Sequence, residues 1–143
     1  MQSAVNDSLR TLDSIKAQLQ FIERTVKDRS TEPPKELAEA IANYTKQVDA
    51  MQNSLARPDG GLGFEGRAQL VDKIGGLFFA IDGANAAPTA PQREYFTELQ
   101  TETRQRVGEV NKFINDTVPK LNETLRRLGA PNVVPGKPIA ENP

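Results

Sequence analysis

The chain has 143 residues, of which 37% are hydrophobic and 26% charged, with a net charge of -1. That is the size of one domain and the composition of a globular chain rather than a disordered one. Cys and His are both absent, which excludes thiolate nucleophiles, zinc sites built on Cys or His, and the usual general base near neutral pH.

Acidic and basic residues are interleaved along the chain, so no basic block marks a nucleic-acid face. No apolar run approaches the roughly 18 residues needed to span a bilayer. The start, "MQSAVNDSLR", has no basic stretch followed by an apolar core, so it does not read as a signal peptide. Either the protein stays where it is made or an export signal lies upstream.

The first predicted helix covers residues 3–29. Val5, Leu12, Leu19 and Val26 recur every seven residues, Ile15 and Ile22 fill the alternate position, and Leu9 widens the stripe. This is a bundle seam. Phe21 lies off it and is expected to be partly exposed, as a candidate contact for another domain. "RSTEPPKEL" breaks the helix: Pro33 and Pro34 suit a first turn, and Thr31 is a nearby capping candidate. A second helix follows over 34–56, with Leu37, Ile41, Tyr44, Val48, Met51 and Leu55 stepping by four and three.

Next comes "ARPDGGLGFEGR", in which Gly61, Gly63 and Gly66 stand at the spacing G-x-G-x-x-G. A dinucleotide fingerprint needs a strand before it, a helix after it and an acid about 20 positions on. Asp82 fits the acid, but the preceding "MQNSLARP" continues a helical stripe. The stretch therefore reads as a turn, and no cofactor is expected. Leu62 and Phe64 are placed to fold over the bundle end, with Phe64 a second candidate contact. Asp59 and Glu65 lack the alternating acids of a calcium loop.

A third, shorter helix is predicted over 67–82, with Leu70, Ile74, Leu77, Phe78 and Ile81 on one face. Gly75 and Gly76 interrupt it, marking either the close approach of another helix backbone or a kink. Phe79 cannot share the face of Phe78. It either covers a second bundle face or belongs to a contact surface. Gly83 is expected to stop the helix in the left-handed conformation.

Thr89-Ala90-Pro91-Gln92 is a capping box with Pro91 in the first turn. It opens a fourth helix over 90–128, marked by Phe96, Leu99, Val107, Val110, Ile114, Leu121, Leu125 and Leu128. Pro119 is expected to kink or break it. Arg126, Arg127, Gly129 and Pro131 signal its end. In the tail, Pro135-Gly136 suggests a type II turn, and Val133, Val134 and Ile139 are candidates to dock on the bundle.

Glu94 and Glu98 share a helical face, but a dimetal bundle usually adds His ligands that this chain lacks. No metal is expected. The Asn-x-Ser/Thr patterns at Asn6, Asn43, Asn115 and Asn122 fall on predicted helices and read as chance. Arg93, Arg104, Arg106, Lys112 and Lys120 are spread among acids, which argues against a phosphate-binding stripe.

"LVDKIGGLFFAIDGANAAPTAPQREYFTEL" and "VNKFINDTVPKLNETLRRLGAPNVV" resemble the C-terminal helical region of bacterial sortilin-like or BNR-repeat glycosyl hydrolase-type proteins. The likeness is most specific at Asp82-Gly83, at Ala87 to Gln92, and at Leu121-Asn122 with Leu125-Arg126. These are turn, cap and packing residues. The resemblance implies a helical segment that follows a β-propeller in a periplasmic or extracellular parent. The chain has no propeller or Asp-box repeat of its own, so no catalytic residue is carried over.

The expected fold is all-α: an up-and-down antiparallel four-helix bundle over 1–128 with one short helix and a proline-kinked last helix, then an extended tail over 129–143. Three long helices with one short packing helix is the close variant. The expected function is a non-catalytic accessory domain, with a propeller in cis or self-association as the protein partner and Phe21, Phe64 and Phe79 as the possible interaction surface. A stand-alone binding or chaperone-like bundle and a carboxylate or metal enzyme are the alternatives.

Overall fold

The seven-residue stripe builds the first long helix, α1 (Gln2–Arg29). Val5, Leu12, Ile15, Leu19 and Ile22 are buried along it. The gap in the apolar pattern is filled by Ser8, itself fully buried, whose hydroxyl donates to the Ala4 carbonyl at 2.8 Å. A polar side chain satisfied by its own helix can stand in a dry seam. α2 (Lys35–Leu55) runs antiparallel to α1. Two cross-helix pairs fix the register: Lys16 with Asp49, and the Gln52 amide donating to Asp13 at 2.6 Å. Thr31 does not cap α2. Pro34 takes the cap position at φ -52 with no side-chain hydrogen bond, and its carbonyl accepts from the Leu37 and Ala38 amides. The proline ring fixes the entry angle that a side-chain cap would otherwise help to set.

The structure, a computed structural model, describes residues 1–57, 69–84 and 86–140. The glycine-rich stretch with Gly61, Gly63 and Gly66, the acids Asp59 and Glu65, and Leu62 and Phe64 lie outside the described residues.

The remaining elements are α3 (Leu70–Asp82), α4 (Ala90–Lys112), a π-helical turn (Phe113–Thr117) and α5 (Val118–Arg127). α4, the π turn and α5 follow one another without a gap, a rod of roughly 55 Å at about 1.5 Å per residue. Three pairs give its direction. Arg127 binds Glu36, so the end of α5 sits at the start of α2. Arg57 binds Asp72 at 3.0 Å, so the start of α3 sits at the end of α2. Lys73 binds Glu102 at 2.9 Å, which lays α3 antiparallel on the first half of α4. The chain is thus an all-α helical bundle, with three long helices and one short one among the described residues. α1, α2 and the stretch from about Thr103 to Arg127 pack together over their length. α3 and the start of α4 extend past them as an antiparallel hairpin.

The rod buries Leu99, Val107, Val110, Ile114, Leu121 and Leu125 as the periodicity predicts, and adds Thr103, Phe113 and Val118. Thr103 fills the gap between Leu99 and Val107, its hydroxyl donating to the Leu99 carbonyl at 2.7 Å. Pro119 does not break the rod. The turn before it widens to π geometry, with the Val118 amide donating to the Phe113 carbonyl. A widened turn relieves the clash of a proline ring with the carbonyl four residues back.

The glycines act differently from expectation. Gly83 ends α3 at φ -73, in the right-handed region, with its amide on the Phe79 carbonyl at 3.0 Å. The left-handed stop is at Gly129, φ 72, where Gly129 and Ala130 donate to the Arg126 and Leu125 carbonyls in a Schellman motif. Gly136 has φ 82, the value that the third position of a type II turn requires. α3 runs straight through Gly75 and Gly76, and a Cβ built at either meets nothing within 4 Å. Among the described residues no helix backbone approaches them. The capping box at Thr89 forms in both directions, with the Thr89 amide donating to Gln92 Oε1 at 2.8 Å and the Gln92 amide donating to Thr89 Oγ1 at 3.4 Å.

Open space around two helical glycines has a direct consequence. Gly75→Ala and Gly76→Ala are each expected to stabilise the protein by roughly 0.4–1 kcal/mol, through lost freedom of the unfolded chain. Thr89→Ala is expected to cost about 1 kcal/mol through loss of the cap. Denaturant melts of the three variants check both signs.

Candidate interaction surface

α3 has the sequence LVDKIGGLFFAID, apolar nearly all round, with Asp72, Lys73 and Asp82 its only charged residues. A short helix of that kind is normally enclosed on every side. Here Leu70, Ile74 and Leu77 are buried, while Phe78 is 54% and Phe79 83% exposed. Phe78 therefore leaves the buried face that periodicity assigns to it, and Phe79 covers no second bundle face. The reason lies in placement. α3 packs chiefly on α4 and less on α1 and α2, and among the described residues the side carrying Phe79 is left uncovered.

The Lys73–Glu102 pair sets the register of this hairpin. Counting outward from it brings Phe79 level with Phe96. Phe96 and its neighbour Tyr95 are both partly exposed. These four exposed aromatic residues therefore belong to the α3–α4 hairpin, Phe78 and Phe79 on α3 and Tyr95 and Phe96 on α4. Phe21 is 63% exposed but lies on α1, towards the turn into α2, at the other end of the molecule. It does not join the patch. Phe64 lies outside the described residues. Of the three residues the sequence singles out, Phe79 alone is placed on this patch, and Phe78, Tyr95 and Phe96 are additions. The doublet Phe78-Phe79 carried the available signal, because adjacent helical positions cannot both face one neighbour.

The other surface features are balanced. A cleft of about 430 Å³ between α1 and α2 is lined by Asp13, Lys16, Asp49, Gln52 and Arg57 among others, and opens widely to solvent. Its polar groups pair with one another, Lys16 with Asp49 and Gln52 with Asp13. Glu94 and Glu98 border a shallow depression with Thr97 and Thr101. Among the described residues no group of three or more acids is placed to hold a metal ion, and no helix is long and apolar enough to cross a membrane. The Asn122 carboxamide is engaged by the backbone of Val133 in both directions.

No family model, no curated protein and no solved structure matches the chain.

One ion pair closes the bundle end opposite the hairpin. Arg127 grips Glu36 with two nitrogens, one of them at 3.3 Å, and holds the Glu36 carboxyl below its ordinary value. The hydrogen bond from Arg127 is the main cause; slight desolvation opposes it and charge attraction adds to it. A lowered folded-state value means that the pair stabilises the fold at neutral pH. That contribution is lost as pH falls through the folded-state value. Side-chain carboxyl NMR is expected to show Glu36 titrating below the common glutamate range, and Arg127→Met is expected to return it there. The pair is exposed, so added salt should weaken the effect.

Proposed function

We propose that this chain is a non-catalytic helical accessory domain that docks on a larger protein domain through the aromatic end of the α3–α4 hairpin. The observation that carries the reading is the exposure of Phe78 and Phe79 on a helix with almost no polar surface. Aromatic rings each offer about 150–250 Å² of burial and are the usual anchors of protein interfaces. Their burial would contribute about 25 cal/mol per Å², less the costs of association.

The charge around the patch favours a different protein over a second copy. The same hairpin carries the acids Asp82, Glu94 and Glu98, and its Arg93 is tied to the Pro88 carbonyl. A two-fold interface would set these acids against their own counterparts. The resemblance to sortilin-like and BNR-repeat proteins supplies the partner class: a β-propeller, joined in cis within a periplasmic or extracellular parent.

The test mixes the isotope-labelled chain with the propeller region of such a parent and maps amide shifts. Changes are expected to cluster on α3 and the first half of α4. Phe79→Asp is expected to abolish them while helix content by circular dichroism stays the same. A map centred elsewhere, or no binding at hundreds of micromolar, defeats the reading. Sedimentation of the chain alone separates the self-association outcome.

A further inference from the structure

The C-terminal tail is held in an unusual way. Three side-chain carboxamides each grip one tail residue by both its amide and its carbonyl. Asn122 on α5 donates to the Val133 carbonyl at 2.8 Å and accepts from its amide at 2.7 Å. Gln18 on α1 does the same to Val134, at 2.8 and 2.7 Å. Asn111 on α4 does the same to Ile139, at 2.9 and 2.8 Å. Successive residues of an extended chain turn their amide and carbonyl to opposite sides. Val133 therefore faces α5 while Val134 faces α1, and the tail lies between the two helices like a strand between two edges.

The spacings fit. Asn111 and Asn122 are separated by roughly 16 Å of helix rise. The six residue steps from Val133 to Ile139 would reach about 20 Å if straight, and the turn at Gly136 takes up the difference. Two tail side chains, Val133 and Ile139, are buried; Val134 and Lys137 are exposed.

We propose that the channel between α1 and α4–α5 is a binding site for an extended peptide, which the tail fills as a tethered occupant. The ligand it fits is a partner's extended segment with two apolar side chains six positions apart. Three features point this way, independently of the aromatic patch. The carboxamides contact main chain, which every peptide carries, so recognition asks little of the sequence between the anchors. α5 is already closed by its Schellman motif before the tail begins, so the tail completes no helix. Displaced carboxamides and tail amides regain water, so exchange of one strand for another is close to neutral in hydrogen bonds. The tether keeps the tail in place by effective concentration, and a competing segment must overcome it.

The experiment uses the full chain with Val133→Asp and Ile139→Asp, which removes both anchors and leaves the carboxamides in place. A synthetic peptide of residues 129–143 is titrated into this variant and into wild type by calorimetry. One-to-one binding to the variant, at least about tenfold tighter than to wild type, is expected, with a further loss of about tenfold on adding Asn122→Ala. A folded variant that binds no better than wild type overturns the proposal. Hydrogen exchange on the unmodified protein decides the matter should the variant not fold. The Val133, Val134 and Ile139 amides are expected to exchange through a local opening with little denaturant dependence, well before Leu121 and Leu125. Exchange of all of them only with global unfolding makes the tail a fixed part of the core and also overturns it.

Discussion

A rod of roughly 55 Å cannot be covered by helices of about 42 and 31 Å at 1.5 Å per residue. This mismatch between α4–α5 and its neighbours α1 and α2 governs the rest of the architecture. Arg127 anchors the rod at the start of α2, so the excess length emerges at the opposite end. There its apolar side needs a partner, and α3 supplies one through Leu70, Ile74 and Leu77. The solution covers Leu99 but leaves the second face of α3 in water. The exposed Phe78 and Phe79 thus follow from helix lengths and from where the α2 end releases the chain.

The same rod carries the second unusual feature. Its C-terminal half meets α2 directly, but the side between it and α1 is filled by the tail. Val133 and Ile139 supply the apolar contacts there, and Asn111, Asn122 and Gln18 pair the tail's main chain. Extended backbone running past helices has donors and acceptors that no sheet satisfies. Carboxamides solve that problem because each offers one donor and one acceptor at the spacing that a neighbouring strand would present.

Much of the fold is legible in the sequence. The stripes of α1 and α2, the capping box at Thr89, the stop after Arg127 and the turn at Gly136 each depend on residues close together, and local patterns report them well. Ser8 and Thr103 escape because a search for apolar periodicity skips hydroxyls, although each is buried with its hydroxyl bonded one turn back. Gly83 and Gly129 look alike in sequence, both following a helix; the one that turns left-handed is followed by a tail that packs on the bundle. Pro119 signals a break, and the π turn before it accommodates the ring. The exposed aromatic residues of the hairpin are half legible. Periodicity says which residues share a face, but not whether another helix stands opposite it, so Phe79 stands out while Phe78, Tyr95 and Phe96 do not. The clamps are invisible, since Gln18 and Val134 are 116 positions apart and a carboxamide on a helix looks like any solvated residue.

The turn, cap and packing residues of the second half of the chain have distinct physical roles. Asp82-Gly83 and the run from Ala87 to Gln92 form the turn and cap of the α3–α4 hairpin, and so fix where the aromatic patch stands. Leu121 is a core residue, and Asn122 beside it is the clamp on Val133. Hairpin geometry and tail attachment bear on the two proposed surfaces in turn. The patch lies beyond one end of the three-helix bundle and the tail channel runs along its flank. A domain seated on the hairpin tip would leave the tail's place along the flank untouched, so the two proposed surfaces are separate.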